Sequence, residues 1–251
     1  MAAPPLLLIN GYAATAADWD PTFIAALKRS FELICPDNQG VGASALGDVS
    51  RPLTIEAMAA DLEALLDARG IEKLPIAGWS MGGFIAQALA LRSPQRVEAL
   101  VLLSTDPGGP DAVPADPAVW AQLTDNSGTP REQAARLISL LFPPVVATEI
   151  DRQYGEAVAT ARAALSPSAL SAQVGAMDDW HATEQPRPPA PAPPVLIAHG
   201  SEDIVIPPMN SDRLAAHWPN SRVERFAGGG HAFMAQAPGR SADLITSFLL
   251  Q

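Results

Sequence analysis

Cysteine is almost absent from this 251-residue chain: Cys35 stands alone, in the stretch FELICPD. A single thiol excludes an intrachain disulfide and any Cys-x-x-Cys metal or redox site. With no glycine turn and no histidine beside it, Cys35 is also poorly placed as a nucleophile, and it reads as the buried end of a strand. Cations are scarce too. Lys and Arg number 16 against 27 Asp and Glu, the formal net charge is −11, and no basic cluster interrupts that balance. Such a surface repels phosphate backbones, which excludes nucleic acid as a partner. No apolar run approaches the roughly 20 residues that span a bilayer. The opening MAAPPLLLINGY has neither a basic region nor the apolar length of a secretion signal, so a cytoplasmic protein without a membrane partner is expected. The chain contains no His-Glu-x-x-His, no Cys/His cluster, and no Gly-x-Gly-x-x-Gly after a strand, so no metal and no dinucleotide cofactor is expected.

What is present is apolar and regularly spaced. Hydrophobic residues make up 48% and charged residues 17%, enough for one large core. Short apolar runs at Leu6–Ile9, Glu32–Cys35, Lys73–Ala77, Ala99–Ser104, Val195–Ala198 and Val223–Phe226 read as buried strands. Helical patterns at Pro21–Ser30, Ile55–Arg69, Gly82–Arg92, Met209–Trp218 and Arg240–Leu250 fall between and after them. Asp20 followed by Pro21 marks a helix start, and Gly70 a helix end. This alternation predicts an α/β fold with a mostly parallel central sheet and helices on both faces. One interval breaks the rhythm: residues 107–185 hold alanine-rich helical stretches cut by prolines and no strand pattern. It is expected to be an inserted helical cap on a core formed by 1–106 and 186–251. The return path QPRPPAPAPP, residues 185–194, reads as a stiff linker.

The stretch PIAGWSMGGFIAQALA, residues 75–90, carries the chemistry. An apolar strand runs into Ser80, and a helical pattern leaves it. Glycines at 78 and 82 permit a sharp strand-to-helix turn, and a side chain at its apex stands clear of the sheet above helix-terminal N–H groups. That placement suits a nucleophile. In a parallel sheet, functional groups gather in the loops after the strands' C-terminal ends. The loop HGSEDIVIPP offers His199, Glu202 and Asp203, and the loop AGGGHAFMAQAP offers His231. The remaining histidines, His181 and His217, like His199, read as surface or structural residues.

Ser80 in GWSMGG, Asp203 in HGSEDIVIPP and His231 in GGGHAF, in that chain order, resemble the nucleophile, acid and base of the α/β-hydrolase superfamily. Within it the chain is most similar to the serine esterase and cofactor-free haloperoxidase-like branch. CPDNQGVGAS and LLLINGYAATAADWDP are similar to two further family loops, although Asn10 and Gln39 stand where many members have His and Arg. The resemblance selects Asp203 over Glu202 as the acid. It implies an oxyanion hole made by the backbone N–H groups of Tyr12 and Met81, and a fold from which the usual N-terminal hairpin is missing. It also implies a serine hydrolase that cleaves carboxylic esters through an acyl-enzyme, without cofactor or metal, on a small-molecule ester. Alternatives on the same scaffold are a haloperoxidase or perhydrolase, a C–C bond hydrolase, a lactonase, or a ligand-binding receptor. Relatives that use an aspartate at the elbow are excluded by the serine. Trp79, Trp120, Phe142 and Trp180 either line an acyl pocket or pack the cap onto the core. Acidic residues outnumber Arg131, Arg136, Arg152 and Arg162 in the 107–185 interval, which suggests uncharged esters of short or medium acyl chain.

Overall fold

A computed structural model describes residues 3–44 and 52–251; the sequence-based core segment 1–106 therefore includes two stretches, 1–2 and 45–51, outside the described residues. Six strands, β1 (Pro5–Ile9), β2 (Glu32–Ile34), β3 (Leu74–Trp79), β4 (Val97–Leu103), β5 (Val195–Gly200) and β6 (Ser221–Phe226), form one sheet. Their order is β2-β1-β3-β4-β5-β6, and every neighbouring pair is parallel. All six are strands that the apolar runs predict. β2 is a short edge strand that stops one residue before the half-buried Cys35, whose thiol pKa is raised by burial. No strand precedes β1 among the described residues.

Side chains alternate across a strand, so a run that is apolar at every position needs cover on both faces. Leu7, Ile9, Ile76, Leu100 and Ile197 face one way, onto α2 (Ile55–Ala68), α3 (Met81–Arg92) and α8 (Asn210–His217). Leu6, Leu8, Ala77, Val101 and Leu196 face the other way, onto α1 (Pro21–Leu27) and the C-terminal helix α10 (Pro238–Leu249), which follows the single turn α9 (Phe233–Gln236). The Asp20 carboxylate caps α1 by accepting from Phe23 N at 2.8 Å, with Pro21 at the first helical position.

Between β4 and β5 the described chain is helical, as the prolines and alanines predict. The helices are α4 (Pro117–Thr124), α5 (Pro130–Leu141), α6 (Pro144–Ala163) and α7 (Pro167–Ala182). Each opens on proline in its first turn, the position where a missing N–H does no harm. The helices α5 and α6 lie against each other, and Ile138, Phe142 and Ala147 join Ala232 in a small apolar cluster of their own. The last helix, α7, returns to the core, where Trp180 stacks on Phe84 of α3 with ring centres 5.6 Å apart. Among the described residues no helix is long and apolar enough to cross a membrane.

Candidate active site

Ser80 sits at the junction of β3 and α3 with φ 54° and ψ −124°, a backbone conformation that costs a non-glycine residue on the order of 1–3 kcal/mol. The surroundings hold it there. Its N–H donates to Leu103 O at 2.9 Å, and its carbonyl accepts from Gly83 N at 2.8 Å and from the Thr105 hydroxyl at 2.9 Å. The two flanking glycines are steric necessities. A Cβ on Gly78 would run into the carbonyl of Gly82, and one on Gly82 into the carbonyl of Ile9. The serine side chain is thereby raised above the sheet edge into a cavity of about 1090 Å³.

The loops after β5 and β6 deliver the partners. Asp203 is buried, and all its acceptor sites face donors. Oδ1 accepts from Val205 N and Ile206 N at 2.9 Å each, and Oδ2 accepts from His231 Nδ1 at 2.8 Å and His199 Nε2 at 3.1 Å. Burial by itself would raise the pKa of this carboxyl. The neighbouring His231 and the hydrogen bonds from both histidines outweigh it and hold the group well below the usual carboxylate range. His231 lines the same cavity as Ser80. The His231 carbonyl accepts from Trp79 Nε1 at 3.0 Å, tying the loop after β6 to the residue before Ser80. Glu202 is exposed and outside this set.

His199 proves to be the structural alternative of the sequence reading, and its role is specific. Fully buried at the end of β5, its Nε2 lies 3.1 Å from Asp203 Oδ2 and 2.9 Å from Ile206 O, two groups that can only accept. Nε2 therefore carries the proton. Nδ1 is buried without a partner.

The first loop passes close to the elbow: a Cβ on Gly11 would lie 3.3 Å from Ser80 Cβ. Among the described residues the backbone N–H of Tyr12 takes no loop or cap hydrogen bond, nor does that of Met81. Sequence reasoning missed Gln173. From the middle of α7, fully buried, its Oε1 accepts from Ala13 N at 3.0 Å and its Nε2 donates to Gln39 O at 2.9 Å. It clamps the first loop, where Ala13 has φ 56°, against the loop after β2. No local pattern announces it, since a glutamine in an alanine-rich helix looks like an exposed one.

Trp79, Trp120 and Phe142 line the cavity. Trp180 does not; it is buried in the core against Phe84, which is the packing alternative. The neighbouring His181 reaches the cavity wall, its Nε2 3.1 Å from Asp106 Oδ2. Burial opposes its protonation, but the Asp106 carboxylate and the Met177 carbonyl more than offset that and raise its pKa. His217 is buried with its Nε2 3.1 Å from Pro186 O. No group of three or more His, Cys, Asp or Glu is placed to hold a metal among the described residues.

Residues 4–238 match a family model described as alpha/beta hydrolase fold. A protein of Caulobacter sp. (strain K31) with the provisional name carbamate hydrolase RutD is 26% identical over 244 residues, covering 97% of this chain and 90% of that one. Two solved structures resemble the whole chain. A thermophilic esterase from Thermogutta terrifontis has a TM-score of 0.69 at 27% identity, covering 99% of this chain and 90% of the other. The protein provisionally named non-heme bromoperoxidase BpoC, from Mycobacterium tuberculosis H37Rv, has a TM-score of 0.77 at 26% identity, covering 98% and 92%.

Proposed function

The chain belongs to the alpha/beta hydrolase fold family, and from that premise we propose that it is a serine hydrolase cleaving carboxylic esters through an acyl-enzyme on Ser80. The observation that carries this reading is the shared cavity. A serine held in a strained elbow and a histidine anchored by a buried carboxylate line the same space. An alcohol is a weak nucleophile until a base takes its proton during attack. With Nδ1 donating to Asp203, His231 has its bare Nε2 available for that proton. Ser80 Oγ bonds to the ester carbonyl carbon, and the carbonyl oxygen becomes an oxyanion facing the N–H groups of Tyr12 and Met81. Collapse expels the alcohol, which leaves with the proton held on Nε2. Water then attacks the acyl-enzyme by the same route in reverse.

The similarity to a carbamate hydrolase and to a bromoperoxidase fits this chemistry. A carbamate presents the same carbonyl carbon to Ser80, and hydrogen peroxide in place of water would release a peracid from the same intermediate. The test is a fluorophosphonate probe followed by peptide mapping, together with p-nitrophenyl ester turnover with and without chelator. One adduct at Ser80 and chelator-insensitive turnover are expected. Labelling elsewhere, or none, overturns the reading.

The reading also assigns Gln173 a positioning role. Gln173→Ala is expected to lower kcat by about 10- to 100-fold with KM little changed, because a first loop displaced by about 1 Å takes one oxyanion donor with it. Kinetics with p-nitrophenyl acetate checks this. An unchanged kcat would show that the loop keeps its shape without the clamp.

A further inference from the structure

The four arginines between β4 and β5 are not equivalent. Arg131 pairs with Asp151 at 2.6 Å and Glu156 at 3.2 Å, Arg136 with Asp125 at 3.5 Å, and Arg152 with Glu149 at 2.5 Å. Arg162, in the last turn of α6, lines the cavity, is only 8% exposed, and has no carboxylate within ion-pair distance among the described residues. Its Nη2 donates to Asn126 Oδ1 at 3.0 Å, while its buried Nε–H has no acceptor. Burial pushes its pKa down, yet a guanidinium stays charged across the whole working range. Beside it on the cavity wall, the buried hydroxyl of Tyr12 also lacks a hydrogen bond of acceptable geometry.

A buried cation with an empty N–H is costly unless something supplies the missing charge. The carboxylates on the cavity wall are engaged or turned away. Asp18 accepts from Thr15 N and Oγ through its Oδ2, Asp20 caps α1 by accepting from Phe23 N, Asp106 is held by His181 and by Gly108 N, and Asp178 is exposed. The cavity itself is mostly apolar, so an anion entering it is stripped of water and meets one guanidinium and one neutral hydroxyl. That set matches a single planar charge, which an arginine fork binds well. A phosphate dianion would exceed it, with four carboxylates already on the wall.

We propose that Arg162 and Tyr12 form a subsite for a carboxylate on the substrate, so that the preferred esters are half-esters of dicarboxylic acids. The inference rests on the ester-hydrolase reading for its substrate class. It also reverses the expectation drawn from counting acids: most of them lie on paired or exposed positions, whereas Arg162 is, among the described residues, a buried cavity charge without an ion-pair partner.

The experiment compares p-nitrophenyl half-esters of succinate, glutarate and adipate with neutral esters in which a methyl ester replaces the free carboxylate. The wild type should favour the half-ester, and Arg162→Gln should lower the half-ester to neutral-ester ratio of kcat/KM by about 10- to 100-fold, the effect of one charge-assisted contact. The thermal midpoint of Arg162→Gln should hold or rise, because the free enzyme loses a charge that nothing neutralises; a purely structural arginine would show a fall. A wild type that prefers the neutral ester, or a ratio unmoved by the substitution, overturns the subsite. Calorimetric titration with adipate separates this from the underlying reading. Binding to wild type that weakens at least about tenfold in Arg162→Gln supports the subsite even where no ester is turned over. Ester turnover with equal adipate binding in both proteins overturns it and leaves the hydrolase reading standing.

Discussion

Replacing Ser80 by alanine is expected to lower kcat toward p-nitrophenyl esters by about 10⁶-fold, down to background, and to abolish phosphonate labelling. The size follows from the unity of the mechanism: without Oγ no acyl-enzyme forms, and His231 and the oxyanion donors have nothing to act on. The variant should stay folded. Alanine removes one oxygen from a residue whose position is set by backbone contacts to Leu103, Gly83 and Thr105, and its Cβ occupies the same place. Steady-state kinetics on protein with an unchanged thermal midpoint is the measurement. Residual turnover above about a thousandth of wild type would place the nucleophile elsewhere.

Asp203→Asn should follow closely, with kcat lowered by about 10⁴-fold. The hydrogen-bond set explains why so conservative a change is so damaging. Oδ1 accepts two backbone N–H groups, from Val205 and Ile206, so the oxygen of an introduced amide must stay on that side. Its NH₂ then takes the place of Oδ2 and faces two imidazole N–H donors, His231 Nδ1–H and His199 Nε2–H. Donor against donor is untenable. His231 escapes by moving its proton to Nε2, the tautomer that cannot accept from Ser80. Glu202→Gln, an exposed neighbour outside the set, should leave kcat within about threefold. The two variants measured side by side decide between the carboxylates, and a reversed outcome would assign the acid to Glu202.

The core was legible because its signals are local. Short, mostly apolar runs of four to six residues between helical patterns point to strands of a covered sheet, and all six are found within a few residues of their predicted limits. The elbow was legible because glycines 78 and 82 are demanded by backbone collisions that any larger residue would provoke. The roles of Gln173 and Arg162 were not. Each looks ordinary among its sequence neighbours, and each acquires its meaning from a partner far along the chain or from the cavity it faces: Ala13 is 160 residues from Gln173, and Asn126 is 36 from Arg162. Trp180 shows the converse. Its size invites a pocket role, and only its stacking on Phe84 reveals that it packs the core.

The separate apolar cluster of α5 and α6 has a consequence for how the molecule moves. Ile138, Phe142 and Ala147 bury themselves mainly among their own neighbours, meeting the core at Ala232 and, more loosely, at Trp79 and Ala235. The returning helix α7 is instead fastened by Trp180, Gln173 and His181 to three different parts of the core. Cooperative units of a protein open in order of their shared buried contacts. Leu140 of α5 also belongs to the main core cluster, and Leu141 O accepts from Ala232 N at 3.1 Å, so a shift of the α5–α6 pair would pull on the loop that carries His231. The hairpin beside the cavity and the loop that holds His231 are thereby mechanically coupled.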